Sequence, residues 1–435
     1  MKRRGCALLW LALVPTLAQG AADAPPPPVP AEPPPLIREI VFKGNKTTEP
    51  KVMLREMDVR VGDPADPVRI ERARQGIQDL GLFRSVRVES TPLDGGVRLT
   101  YRVKEKIYVL PLPRVDANSD GGYSYGMSLR LDNIGGRNHS MRGHWERRKS
   151  AEGSEDAHER GLKESYYLAY TAPYLFDTVW DLDVVAQHQD APVVKPIEYG
   201  ETYDLFALAL RRKISDDLGS QGWYAGGGLL WKNEDTSGVA APEPYGMATA
   251  LVGLASHRDL HYRTYSDEGQ TYGGRVEVAT EGWASDYHYT QWTVGYARYF
   301  AVGDTPHQTV HFLTSVGARH GGPQRDDVEA FSLGGSAGLR GFEPETAEGD
   351  FAYTVTGEFL RPMFRNSIRG LVLLEAGNAF LEPGDLDFDR VLVSAGLGVR
   401  VRIQAFVNLD LEIGWAWPLN GGSGRAFASK VQPLY

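Results

Sequence analysis

Cysteine is almost missing from this chain: of 435 residues one is Cys, at position 6. A run of roughly 20 consecutive apolar residues, which a membrane-spanning helix requires, is missing too. A bundle of membrane helices is thereby excluded. There is no basic excess. The 47 Lys and Arg face 56 Asp and Glu, for a formal net charge of −9, whereas a nucleic-acid binder carries a basic stripe. The ten His residues show no H-E-x-x-H or other close metal-ligand spacing, so neither a metal nor a cofactor is expected. The chain is rich instead in Gly (49), Tyr (21), Phe (15) and Trp (9), a composition that belongs to ordered, turn-rich structure and not to disorder.

Lys2, Arg3 and Arg4 precede an apolar run from Gly5 to Leu17 and the small-residue pattern Ala18-Gln19-Gly20. Residues 1–20 therefore read as a cleaved secretory signal. Removing it leaves 44 basic residues (47 less three) against 56 acidic ones, a net charge of −12, and no cysteine. An exported chain without disulfides must be held by other means. Residues 21–35 contain APPPPVPAEPPP, a semi-rigid spacer with no core of its own.

Residues 36–106 read as a small α+β domain. Ile37 to Phe42 alternates as a strand and ends at the turn Gly44-Asn45. Pro50 opens a short helix. A second helix from about Pro67 to Leu80 puts Ile70, Ala73, Ile77 and Leu80 on one face, and Gly81 stops it. Two strands follow, the second with Val97, Leu99, Tyr101 and Val103 on one side.

Residues 107–435 are a periodic array of alternating segments of about ten to fourteen residues, separated by Gly, Asp, Asn and Pro. In one segment Val407, Leu409, Leu411, Ile413, Trp415 and Trp417 alternate with Asn408, Asp410, Glu412 and Gly414. In another Val391 to Val401 alternate with Leu392 to Arg402. An apolar outer face, a polar inner face and aromatic segment ends are the mark of a transmembrane β-barrel. The segments are too long for an ordinary sandwich strand and suit a tilted crossing of the hydrocarbon. Sixteen are counted, giving the expected fold: an all-β membrane protein with a 16-stranded antiparallel barrel behind one α+β domain. Links at 151–161, 234–245, 321–347 and 379–388 are long. Those at 133–137, 174–177, 302–306, 362–366 and 403–404 are short, and 259–269 stands out as a long link on the short-link side.

Three stretches carry a family resemblance: Gly44-Asn45 with Gly81-Leu82-Phe83…Val86-Arg87-Val88; the loop Phe331 to Phe342 with Leu339-Arg340-Gly341-Phe342; and Gly357-Glu358-Phe359-Leu360-Arg361-Pro362 with Leu373-Leu374-Glu375-Ala376-Gly377-Asn378. With them the chain resembles the BamA/TamA-type bacterial surface antigen family, in which POTRA domains precede a sixteen-stranded outer-membrane barrel. The resemblance implies a periplasmic POTRA domain at 36–106 and a barrel at 107–435 in the cell outer membrane. It also implies that the 321–347 loop folds inward, so that Arg340 meets an acidic residue on the barrel wall: Glu375, with Glu358 nearby and Gly377 beside it. The family usually has Asp where Glu375 stands. Alternation agrees, since Leu371, Leu373, Glu375 and Gly377 share one face.

The implied function is outer-membrane protein assembly without cofactor or nucleotide. Its partners would be unfolded outer-membrane or secreted β-rich clients, outer-membrane lipid and glycolipid, and a periplasmic or lipoprotein accessory, with no nucleic acid. The seam between the first and last strands would be the place where a barrel regains a pairing edge. On the last strand Phe427, Ser429, Val431 and Tyr435 share a face, and Pro433 lacks an N–H. Two other readings stay open: a two-partner-secretion translocator for one dedicated partner, and a passive or structural barrel. Gly334-Gly335-Ser336-Ala337-Gly338 matches the G-x-S-x-G nucleophile pattern but lies in a glycine-rich loop, not on a strand-to-helix elbow, so no enzyme is expected.

Overall fold

The computed structural model describes residues 34–117, 123–149, 163–193, 199–238, 241, 246–322, 330–335, 338–385 and 387–430. The signal sequence, nearly all of the spacer, Ser336, Ala337, Val431, Pro433 and Tyr435 lie outside them.

The N-terminal domain is built from β1 (Ile37–Lys43), α1 (Pro50–Leu54), α2 (Pro67–Asp79), β2 (Phe83–Leu93) and β3 (Gly96–Glu105). The sheet order is β1-β3-β2, with β1 parallel and β2 antiparallel to β3. Asp66 caps α2, its carboxylate accepting from the Val68 N–H at 2.9 Å, and Pro67 follows at the first helical position. Ala73 and Ile77 from α2 and Leu99, Tyr101 and Val103 from β3 enter the core, with Ile70 and Leu80 packed at its edge. Gly44 has φ +95°, and a Cβ there would stand 2.1 Å from the Val103 carbonyl oxygen. Only glycine fits this close turn.

Sixteen further strands form one antiparallel sheet: β4 (Val109–Ala117), β5 (Tyr123–Ile134), β6 (His139–Lys149), β7 (Lys163–Ala172), β8 (Trp180–Val193), β9 (Tyr199–Lys213), β10 (Gly222–Ser237), β11 (Gly246–Arg263), β12 (Ser266–Ala279), β13 (Tyr289–Ala301), β14 (Thr309–Gly321), β17 (Phe351–Arg365), β18 (Ile368–Phe380), β19 (Leu392–Arg402), β20 (Asp410–Pro418) and β21 (Arg425–Lys430). The small strands β15 (Phe331–Leu333) and β16 (Ala347–Gly349) pair with each other inside the longest loop. Each barrel strand pairs with its neighbour in sequence, so every connection is a hairpin. The ends of the sheet come round to each other: the N–H of Ile107, just before β4, donates to the carbonyl of Ala405, just before β20, at 2.7 Å. No ladder joins β21 to β4 among the described residues.

The two faces separate as the alternation requires. On β20, Leu411, Ile413, Trp415 and Trp417 are exposed on the outer face, while Asp410 and Glu412 are buried inside. On β18, Val372 and Leu374 face out, whereas Leu371, Leu373 and Glu375 are buried. No helix among the described residues is long and apolar enough to cross a membrane.

Two expectations are corrected. The 259–269 link is not a long loop: β11 runs to Arg263 and β12 starts at Ser266, leaving a two-residue turn. Its polar residues read as a loop because they serve a contact with the N-terminal domain instead of the membrane. Conversely, 403–404 is not a short link. Asn408, at φ +38°, breaks the alternation, the strand begins only at Asp410, and Val407 and Leu409 are buried. Val407 belongs to the core of the N-terminal domain and faces no lipid.

Candidate functional site: an inward loop and a docked domain

The loop between β14 and β17 packs on the inside of the wall. Leu333, Leu339, Phe342 and Ala347 form one apolar cluster with Ala352 of β17 and Ala379 of β18. The N–H of Gly335 donates to the Phe342 carbonyl at 2.9 Å, and that of Phe342 to Leu339 at 3.0 Å, which closes the tip into a tight bend. A Cβ on Gly341 would stand 2.5 Å from Ser394 Cβ on β19. The glycine after Arg340 is thus what lets the loop lie flush against the wall.

This approach delivers Arg340 into a ring of carboxylates. Its Nε donates to Glu375 Oε1 at 2.8 Å and its backbone N–H to Glu375 Oε2 at 2.7 Å. Nη2 reaches Glu358 Oε1 at 2.7 Å, and Nη1 reaches Glu412 Oε1 at 2.9 Å. All three glutamates are buried. Ser394 donates a further bond to Glu375 Oε2 at 3.2 Å. The planar guanidinium satisfies three acceptors at once, a task that a lysine ammonium on a flexible stem does less well.

A second arginine, Arg400 on β19, offsets a second of these three carboxylate charges. Its Nη2 donates to Glu358 at 2.8 Å and to Glu412 at 2.7 Å, and its Nη1 lies 3.4 Å from His311. Toward the rim beside the N-terminal domain, Arg402 pairs with Asp410 and Asp267, its Nη2 at 2.7 Å from each. Of the residues named from sequence, Leu339, Arg340, Gly341, Phe342, Glu358 and Glu375 are brought together here. Gly377 is not in contact with Arg340; a Cβ there would meet the Tyr353 carbonyl at 2.6 Å, so its role is close strand packing. Glu412, Arg400, His311, Arg402, Asp267 and Asp410 were missed. The available signal was a charged residue on the inner face of several barrel strands.

The last strand is tied to this centre. The Phe427 ring centroid lies 5.5 Å from the Arg340 guanidinium, and the ring packs over Gly398 and Gly414. Ser429 donates to Glu412 Oε1 at 2.8 Å, and Arg425 donates to the Phe342 carbonyl at 2.8 Å. Three alternate residues of β21 thus face inward, two of them against the loop and Ser429 against the loop's partner Glu412.

The N-terminal domain is fastened to the barrel rim. Asp79, at the end of α2, accepts from the Tyr262 N–H at 2.8 Å and lies 2.7 Å from His261 Nδ1. Glu56 accepts from the Ser220 N–H at 2.8 Å, and the Asn133 amide donates to Thr48 at 2.9 Å. Lys51 and Arg55 meet Asp177. Burial is the largest influence on Glu56 and, against the bonds from Ser220, pushes its carboxyl up to about 7.

A family model described as the POTRA surface antigen variable number repeat matches residues 35–106, and one described as the Omp85 superfamily domain matches residues 133–426. The chain belongs to the Omp85 superfamily. One similar Omp85 relative is the outer membrane protein assembly factor BamA of Nitratidesulfovibrio vulgaris, 35% identical over 80 residues. That stretch covers 18% of this chain and 9% of the relative. The fold resembles BamA from Haemophilus ducreyi lacking POTRA domains 1–3, at 15% identity and TM-score 0.52 over 91% of this chain and 84% of that one. It also resembles CdiB from Escherichia coli, at 16% identity and TM-score 0.60 over 91% and 75%, and CdiB from Acinetobacter baumannii, at 16% and 0.55 over 88% and 70%. Omp85 relatives are outer-membrane proteins with periplasmic POTRA domains, and this barrel is consistent with that setting.

Proposed function

We propose that this chain is an outer-membrane assembly factor that presents a pairing edge to unfolded β-rich clients. The observation that carries the reading is the state of β21. The inward loop grips it from inside through Arg425 and Phe427, Ser429 is tied to Glu412 of β20, and no ladder ties β21 to β4 among the described residues. An unpaired strand edge offers a row of backbone donors and acceptors to any extended segment. Such pairing demands no client sequence and no nucleotide. The outer edges of β1 and β2 in the POTRA sheet are a second place where an extended client can be received. In this reading Leu339-Arg340-Gly341-Phe342 is a lock that sets the position of β21, with Glu375, Glu358 and Glu412 as its keepers.

A second reading, a translocator for one dedicated β-rich partner, is favoured by a different observation. A cavity of about 760 Å³ lies inside the barrel against the loop, lined by Arg258, Thr314, Thr356 and Arg402 among others. Threading a chain through it requires the loop to leave.

The two readings separate in liposomes. The assembly reading predicts that the reconstituted protein speeds the folding of an unfolded small barrel protein well beyond empty liposomes. Ion conductance without such acceleration supports the translocator.

A further inference from the structure

We propose that the junction between the POTRA domain and two adjacent barrel turns binds a phospholipid whose headgroup carries both a phosphate and a primary amine, a phosphatidylethanolamine of the periplasmic leaflet. A cavity of about 680 Å³ lies there, a size in the range that holds small-molecule ligands. Its apolar wall is made by Ile40, Leu54, Met57, Val59 and Val61 of the POTRA domain and Leu218 of the barrel.

The polar lining is unusual in what it leaves uncancelled. Arg55 is spoken for: its guanidinium pairs with Asp177 at 2.9 Å and lies over the Tyr174 ring at 4.3 Å. Lys213 donates only to backbone carbonyls, those of Asp217 and of Gly219 at 2.8 Å, and no carboxylate lies within ion-pairing distance among the described residues. The exposed Arg60 guanidinium has no hydrogen-bond or ion-pair partner among them, and neither does the Asp217 carboxylate. Two cations and one carboxylate therefore line the same cavity with no ion pair among the described residues, and the Lys213 ammonium keeps one donor beyond its two carbonyl bonds. A phosphate fits Arg60 and Lys213, and an ammonium on a short ethanolamine arm fits Asp217. An acidic or a purely cationic ligand would leave one of these charges unanswered.

Position favours a lipid over a free metabolite. Ile214, beside Lys213, continues the outward register of Phe206, Leu208 and Leu210 and is 58% exposed. Phe176, on the turn that carries Tyr174, is 82% exposed. The apolar belt of the barrel thus reaches the mouth of this cavity, and Leu54 and Val61 present exposed apolar side chains from the POTRA side. Acyl chains lying on that belt bring the headgroup to the charged lining.

This inference rests on the barrel lying in a membrane and not on the assembly reading, since its readout is lipid binding. The test is native mass spectrometry of the detergent-solubilised full chain titrated with phosphatidylethanolamine, phosphatidylglycerol and phosphatidylcholine. One phosphatidylethanolamine should be retained at least ten-fold more tightly than either of the others. Arg60→Gln should weaken it by at least five-fold, and Asp217→Asn should erase the preference over phosphatidylglycerol. Both side chains are exposed, and barrel folding is checked by heat-modifiability. No headgroup preference, or unchanged retention in folded variants, overturns the proposal. So does a preference for phosphatidylglycerol that survives Asp217→Asn, which would make the site one for anionic lipid.

Discussion

Arg340 and Glu375 are joined twice, by the Arg340 backbone N–H to Oε2 at 2.7 Å and by its Nε to Oε1 at 2.8 Å. One carboxylate therefore fixes both the path of the loop and the direction of its side chain. The same guanidinium then spans to Glu358 and Glu412 on two other strands, so a loop residue holds three staves of the wall together.

Removing the arginine leaves three buried carboxylates short of a partner. Breaking a buried charge pair in this way costs about 3–5 kcal/mol. Arg340→Ala should therefore lower the urea midpoint of barrel unfolding sharply and slow client folding in liposomes. Glu412→Gln should resemble Glu375→Gln, although only Glu375 is marked by the family motif. Unfolding curves that match the parent for all three variants would refute the lock.

The end of the network nearest the POTRA domain makes a separate prediction. Arg402 bridges Asp410 and Asp267, which lie on strands far apart in the chain. Arg402→Ala should destabilise the barrel on the same scale as Arg340→Ala, and Arg402→Lys should restore part of the loss. Thermal loss of the heat-modifiable form measures both.

Much of this was legible beforehand, for reasons particular residues make plain. Strands such as β18 and β20 announce themselves because lipid and lumen impose opposite demands on successive residues. Arg340 was found through a local motif. Glu412 and Arg400 were not, because they meet through cross-strand register, and alternation reveals a face but not which residue lies opposite. The errors at 259–269 and at Val407 share a cause. Both segments answer to the POTRA domain, whose core takes in Val407 and whose Asp79 holds His261 and Tyr262. A contact between distant parts of the chain leaves no period in either.

That dock is testable by itself. Asp79→Ala removes the acceptor of the Tyr262 N–H, and leaving a buried donor unsatisfied costs about 1–3 kcal/mol. Hydrogen exchange should rise at residues 260–264 while the membrane strands stay protected. Unchanged exchange there would show that Asp79 does not hold the domain.

Glu56 gives the dock a pH dependence of definite sign. Burial raises its folded-state carboxyl to about 7, whereas the exposed group titrates near 4.3. The docked state therefore takes up a proton, and the stabilisation is fully present below the exposed value and lost as pH rises through about 7. Exchange at Ser220, corrected for intrinsic rate, should be slower at pH 5.5 than at pH 8.0. Glu56→Gln should flatten that difference. A dock that tightens with rising pH would contradict the assignment.

The account's central claim is that clients pair at the β4–β21 seam, and site-specific photo-cross-linking tests it most directly. A photoreactive residue is placed either at Ala428, on the outer face of β21, or at Thr356, on the inner face of β17 where it lines the lumen cavity, and an unfolded client is supplied during folding into liposomes. The account predicts strong client adducts at Ala428 and few at Thr356. Adducts concentrated at Thr356, with none at Ala428, would contradict it and place the passenger inside the pore.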